Sequence, residues 1–117
     1  METILIVDDD HDLQFLITEI LQDEGYSTIT AGDGRQAIKT VKKQSPQIML
    51  LDLKLPDMNG MQVLEEIRKF DPAVIVIMLT AYGDVKDAVK AMKLGAFDYL
   101  TKPFDNEELV LVIKKAL

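Results

Sequence analysis

Short apolar runs alternate along this chain with stretches in which apolar residues recur every three or four positions. The first run, Thr3 to Val7, ends in Asp8, Asp9 and Asp10, and Leu13, Leu16, Ile17, Ile20 and Leu21 then mark one face of a helix that Gly25 closes. Ser27 to Ala31, rich in β-branched residues, predicts a second strand. Gly32-Asp33-Gly34 turns it into a helix with Ala37, Ile38 and Val41 inward, stopped near Ser45-Pro46. Ile48 to Leu51 is unbroken by polar residues, the mark of a strand buried on both faces. Asp52 ends it, and Pro56, Asp57, Asn59 and Gly60 supply a turn. The helix that follows is expected to bury Val63, Leu64, Ile67 and Phe70 before Asp71-Pro72 ends it. Val74 to Leu79, the longest apolar run, predicts the most buried strand. Thr80 to Asp84 reads as a loop with Asp84 as N-cap, leading to a helix with Val85, Ala88, Val89 and Met92 inward and Gly95 at its end. A short fifth strand, Asp98 to Thr101, is broken by Lys102-Pro103-Phe104. Asp105 with Glu108 forms a capping-box pattern at the start of the last helix.

Strand–helix alternation with right-handed crossovers gives a parallel sheet covered on both faces, the α/β class. For five strands the flavodoxin-like, doubly wound order 2-1-3-4-5 is a common solution, and it makes the first and third strands neighbours. Asp8, Asp9 and Asp52 then converge at one edge of the sheet. The 117 residues suit a single domain spanning 1–117. No apolar run approaches the ~20 residues needed to cross a bilayer. The chain has no cysteine, so neither a disulfide framework nor a thiolate metal site is open to it, which is compatible with the cytoplasm. A net charge of −7 argues against direct nucleic-acid binding, which needs cations to neutralise phosphates, but suits a site that gathers cations.

Three converging carboxylates repel one another, and partial burial adds to the cost. A divalent cation offsets both penalties. With oxygen donors and no thiolate or imidazole set, the fitting ion is Mg²⁺. Thr80 ends the fourth strand with a hydroxyl and Lys102 ends the fifth with an ammonium. Asp52 as nucleophile, Asp8 and Asp9 as metal nest, one hydroxyl and one fixed positive charge are a set suited to phosphoryl transfer onto a carboxylate. Taken singly, each has a plainer explanation: Asp52 a turn residue, Lys102 a solvated charge, Thr80 a helix-entry residue. Joint placement at strand ends favours the chemical reading. Asp10 and Asp12 read as acids favoured in a first helical turn, and His11 as a surface residue.

Val7-Asp8-Asp9, Leu51-Asp52 followed by Leu55-Pro56-Asp57-Met58-Asn59-Gly60, Thr80-Ala81 and Lys102-Pro103-Phe104 together resemble the receiver domains of two-component response regulators over the whole chain. The resemblance implies that Asp52 accepts a phosphoryl group from a sensor histidine kinase. It implies Mg²⁺ held by Asp9 directly, Asp8 mainly through water, Asp52, and the backbone carbonyl of Lys54. It further implies that Thr80 moves to hydrogen-bond the phosphoryl, that Tyr99 rotates inward behind it, that Lys102 pairs with it, and that the Lys102–Pro103 peptide is cis. From its own context Tyr99 is equally a static residue at the edge of the core. The stretch from Thr80 to Phe104 looks most like receivers of NtrC-type, sigma-54-dependent transcription activators, which implies a downstream output domain or protein. A stand-alone phosphorelay protein is the alternative.

Leu109 to Ile113 is apolar on all sides of a helix expected at the sheet's edge, where one stripe suffices. Helices four and five with strand five are therefore the expected output or homodimer face; the plainer explanation is a helix covered by its own neighbours. Three rival readings are weaker. Asp8-x-Asp10-x-Asp12 with Glu19 follows a calcium-loop pattern but has Leu13 where glycine is needed. Gly32-x-Gly34-x-x-Ala37 matches a loose dinucleotide fingerprint after the wrong strand. An aspartyl-nucleophile phosphatase fits Asp52, yet such enzymes usually carry a second acid two residues on, and Lys54 stands there.

Overall fold

All five expected strands form and pair in parallel, in the order β2-β1-β3-β4-β5. The computed structural model describes residues 2–81 and 85–117. Its elements are β1 (Thr3–Val7), α1 (His11–Asp23), β2 (Ser27–Ala31), α2 (Gly34–Gln44), β3 (Ile48–Asp52), α3 (Gly60–Phe70), β4 (Ile75–Ala81), α4 (Val85–Lys93), β5 (Asp98–Lys102) and α5 (Asn106–Ala116). The chain therefore has the flavodoxin-like doubly wound architecture that its apolar pattern predicted.

Alternation along the strands divides the core in two. Leu5, Val7, Met49, Leu51, Val76 and Met78 face one way, against Ala37 and Val41 of α2, Val63, Leu64 and Ile67 of α3, and Ala91 of α4. Ile4, Ile6, Leu50, Ile77, Leu79 and Leu100 face the other, against Ile17 and Leu21 of α1 and Leu109, Val112 and Ile113 of α5.

Local signals set the helix ends. Asp10 caps α1 by accepting from the backbone N–H groups of Asp12 and Leu13, Asn59 and Asp105 close reciprocal capping boxes with Gln62 and Glu108, and Gly25 and Gly95 take positive φ beyond α1 and α4. The Asp10 and Asp12 positions leave no calcium loop at this point: one is the cap and the other lies exposed in the first turn.

Several expectations are corrected. β3, not β4, is the strand buried at every position, because it lies at the middle of the sheet while the ends of β4 emerge. Thr80 and Ala81 belong to β4 rather than a loop, since Thr80 pairs with Thr101 and Ala81 with Lys102. Asp84, expected as an N-cap, lies outside the described residues. On α1 the buried positions are Gln14, Ile17 and Leu21, whereas Leu16 is exposed. Phe70 lies at the last turn of α3 and is exposed, with the ammonium of Lys42 4.9 Å from its ring centroid.

The largest difference concerns α4. Its buried residues are Ala88 and Ala91, while Val85, Val89 and Met92 point outward, Val89 at 49% exposure. A buried methyl contributes about 0.8 kcal/mol, and a buried Leu or Ile side chain about 2–3 kcal/mol. By that measure α4 is held to the sheet far more weakly than α3. On α5 one stripe is buried and Leu111 is left 57% exposed.

Candidate functional site

The acids meet where β1 and β3 run side by side. Register pairs Val7 with Leu51, so Asp8 and Asp52 leave adjacent strands at the same level. Asp8, Asp52 and Lys102 continue the parity of Ile6, Leu50 and Leu100, which turns all three toward the α1–α5 side. One carboxylate oxygen each from Asp8, Asp9 and Asp52 lie within 4.8 Å of one another. Asp8 is 1% exposed and Asp52 8%, while Asp9 is open to solvent. Asp9, Asp52, Leu53, Lys54, Ala81 and Lys102 line a shallow cleft of about 300 Å³.

Lys102 is the tether of this group. Its ammonium donates to Asp8 Oδ2 at 2.8 Å and lies 3.3 Å from Asp52 Oδ1. The other Asp8 oxygen accepts from the Asp10 backbone N–H at 3.0 Å. Burial pushes the Asp52 carboxyl above its usual pKa, the charge of Asp8 adds to this, and Lys102 and the Lys54 backbone N–H only partly counter it. For Lys102, burial works to lower the pKa, but the hydrogen bond to Asp8 and the charges of both acids outweigh it and raise the pKa. Three carboxylates and one ammonium sum to −2 (−3 + 1), a charge that one divalent cation cancels. Opposed ligands of Mg²⁺ stand roughly 4 Å apart, so small side-chain adjustments suffice to seat that ion. The donor set fits.

Behind Asp52 the chain doubles back. An antiparallel bridge joins Lys54 to Asn59, and the Gly60 N–H donates to the Leu53 carbonyl at 2.7 Å. A Cβ on Gly60 would lie 2.5 Å from the Asp52 carbonyl oxygen and 2.9 Å from Leu53 Cα. Glycine is there because the main chain passes itself at that point.

Asp57 has a role that turn composition does not reveal. Its two carboxylate oxygens accept from the backbone N–H groups of Gly34 at 2.7 Å and Arg35 at 3.0 Å, tying the loop after β3 to the first turn of α2. Partial desolvation opposes ionisation, but these two donors and the Arg35 charge prevail and lower its pKa. Gly34 itself packs under Met58, so its glycine-rich setting serves a turn and a close contact rather than a dinucleotide. A folded pKa below the unfolded one means stability that is present above the ordinary carboxylate range and lost as pH falls through the lowered value. Asp57→Ala is therefore expected to lower Tm by roughly 4 °C at pH 7. In acid, below that value, the difference from wild type should shrink as the charge-dependent part is lost; thermal unfolding at both pH values checks it.

Thr80 and Tyr99 stand apart from the acids. Thr80 is buried at the same edge of the sheet but shares parity with Met78, which faces α3 and α4, and it does not line the cleft. Tyr99 pairs with Met78, two register positions below the pair Thr80 makes with Thr101, and is 44% exposed. The Lys102–Pro103 peptide is cis.

Fold and site together define a doubly wound α/β domain whose acidic cluster sits at the crevice beside the first and third strands. Residues 4–114 match the model of the response regulator receiver domain. The chain belongs to that family. It is 40% identical to sporulation initiation phosphotransferase F of Bacillus subtilis over 99% of this chain and 94% of that protein. It is 39% identical to the regulatory protein AtoC of Escherichia coli over 97% of this chain but 25% of that one. Among solved structures, NtrX of Brucella abortus superposes with a TM-score of 0.95 at 38% identity, over 100% of this chain and 27% of that one. AtoC and NtrX are relatives of the NtrC type, the group that the Thr80 to Phe104 stretch resembles. The chain thus spans about a quarter of these two and nearly all of phosphotransferase F.

Proposed function

We propose that this domain is a phosphoryl-activated signalling switch of the cytoplasm, with Asp52 as acceptor. A carboxylate oxygen of Asp52 attacks phosphorus as the P–N bond to a phosphohistidine of a sensor kinase breaks, and the released imidazole takes up a proton. Asp8, Asp9, Asp52 and the Lys54 backbone carbonyl would hold Mg²⁺, which supplies charge stabilisation for the transferring phosphoryl oxygens. Lys102 shifts from Asp8 and Asp52 to the phosphoryl group and keeps a positive charge there. Thr80 then turns its hydroxyl toward the new oxygens, and Tyr99 follows into the space behind it. The change reaches partners through α4, β5 and α5, whose exposed Val85, Val89, Met92, Tyr99 and Leu111 form an apolar face for an output domain or a second copy. On this reading the domain itself does not touch nucleic acid. A transcription-activating output is the reading that AtoC and NtrX support.

The observation that carries this proposal is the convergence of three carboxylates within 4.8 Å of one another, two of them paired with the Lys102 ammonium. A stand-alone relay is the second reading, favoured by the 94% of phosphotransferase F that this chain covers. An aspartyl phosphatase is a lesser alternative, since Lys54 offers no second acid. Incubation with acetyl phosphate and Mg²⁺ tests the core of it by intact-protein and peptide mass. The expected result is one added phosphoryl group at Asp52, labile to hydroxylamine and absent when EDTA is present. A protein that stays unlabelled, or that instead turns over added phosphate esters continuously, overturns it.

A further inference from the structure

α1 carries a polar residue on its buried stripe. Gln14, Ile17 and Leu21 are its buried positions, three and four residues apart, and two of them are plainly apolar. A glutamine amide on such a stripe costs stability unless it is hydrogen-bonded. Gln14 is 8% exposed, and its amide nitrogen donates to two main-chain carbonyls: that of Asp8, through a short contact, and that of Ala31 at 3.1 Å. Ala31 is the last residue of β2, and its carbonyl also accepts from the Asp8 N–H at 3.1 Å. The Gln14 amide thus stands where the β1–β2 ladder stops, holding the ends of both strands to α1.

The Asp8 carbonyl and the Asp9 N–H belong to one rigid peptide plane. A donor fixed on that carbonyl fixes the tilt of the plane, and with it the direction in which Asp9 leaves the main chain. Asp8 has other anchors, its side chain being held by Lys102 and the Asp10 N–H. Asp9 is exposed, and nothing comparable in the described hydrogen bonds holds its carboxylate. We propose that Gln14 is a positioning residue for the metal nest, orienting the Asp8–Asp9 peptide so that the Asp9 carboxylate faces Asp8 and Asp52. This rests on the Mg²⁺ reading of the three acids. Groups that orient metal ligands from behind typically contribute 10–100-fold to metal affinity.

The test is a Mg²⁺ titration of the full chain by calorimetry or amide chemical shifts, comparing wild type, Gln14→Met and Asp9→Asn. Gln14→Met keeps length and volume but removes both donors. It is expected to weaken Mg²⁺ binding about tenfold while the metal-free protein still unfolds cooperatively. A variant that loses thermal stability yet binds Mg²⁺ as wild type does would show a packing role alone and overturn the inference. Wild-type protein supplies an independent measurement should Gln14→Met not fold. Its Gln14 side-chain amide protons should exchange slowly and shift along the same Mg²⁺ binding curve as the Asp9 amide. Exchange at the solvent rate, or silence during the titration, also overturns it. If wild type binds Mg²⁺ and Asp9→Asn does not, the metal reading stands whatever Gln14 does; if wild type binds none, both readings fall.

Discussion

Asp52→Asn should make the metal-free domain more stable while removing its capacity to be phosphorylated. The Asp52 carboxyl is raised in pKa by burial first and by Asp8 second, so at neutral pH its ionised form is held uphill. A group whose folded pKa exceeds its unfolded value contributes stability that is complete below the unfolded value and lost as pH rises through the folded one. Unfolded Asp titrates near 3.9, so wild type should lose stability from about pH 4 upward until Asp52 is fully ionised. The Asn variant should lack that decline. At pH 7 and without metal, the gain is expected to appear as a rise of a few degrees in Tm. Mg²⁺ should invert the ranking. A ligand that binds only the folded state adds RT ln(1 + [L]/Kd), and the wild type retains the third carboxylate that the variant has lost. Thermal scans with EDTA and with saturating Mg²⁺, over a pH series, check each part. A variant less stable than wild type in EDTA at pH 7 would mean that Lys102 outweighs burial and Asp8.

Gly60→Ala is expected to be the most disruptive single methyl in the chain's site loop. The added carbon would meet the Asp52 carbonyl oxygen at 2.5 Å and Leu53 Cα at 2.9 Å, main-chain atoms at the end of a strand buried between neighbours and just beyond it. Flexible side chains yield to such a contact; a paired central strand does not. Overpacking of this kind costs about 1–3 kcal/mol, and the immovable partners place this case at the upper end. Tm should fall by roughly 10 °C. The displaced atom is the carbonyl of the proposed acceptor residue itself, so phosphorylation by acetyl phosphate should slow at least tenfold at temperatures where the variant remains folded. Normal labelling of a folded Gly60→Ala variant would show that the loop closes by another route.

Much of this architecture is readable from residue order. Strand ends are legible because an unbroken apolar run gives way to acid where the strand gives way to a polar loop, which is why Asp8 and Asp52 identify one edge of the sheet. Lys102 is legible from the Lys102-Pro103-Phe104 break that ends the short fifth strand. Facing is harder. The stripe Val85, Ala88, Val89, Met92 on α4 shows that an apolar side exists but not what it meets, and the structure buries only the alanine side. Phe70 illustrates the same limit at a helix end, where an aromatic ring is satisfied by a lysine across the surface. The end of β4 is hidden from composition because pairing with β5 carries the strand through Thr80 and Ala81. Gln14 and Asp57 escaped for another reason. Their partners are backbone groups of distant elements, and sequence patterns register side-chain character rather than where main-chain donors and acceptors come to rest. The buried place of Gln14 among Ile17 and Leu21 was the one available hint.

The parity of the strands has an evolutionary corollary. Asp8, Asp52 and Lys102 depart on one side of the sheet, whereas Thr80 and Tyr99 have the parity of Met78, on the side of α4, a helix anchored by two alanines. On the proposed function, recognition of a downstream partner can therefore drift residue by residue on the outward flank of α4 while the acids keep their arrangement. A single chemical engine of this kind can be coupled to many different listeners.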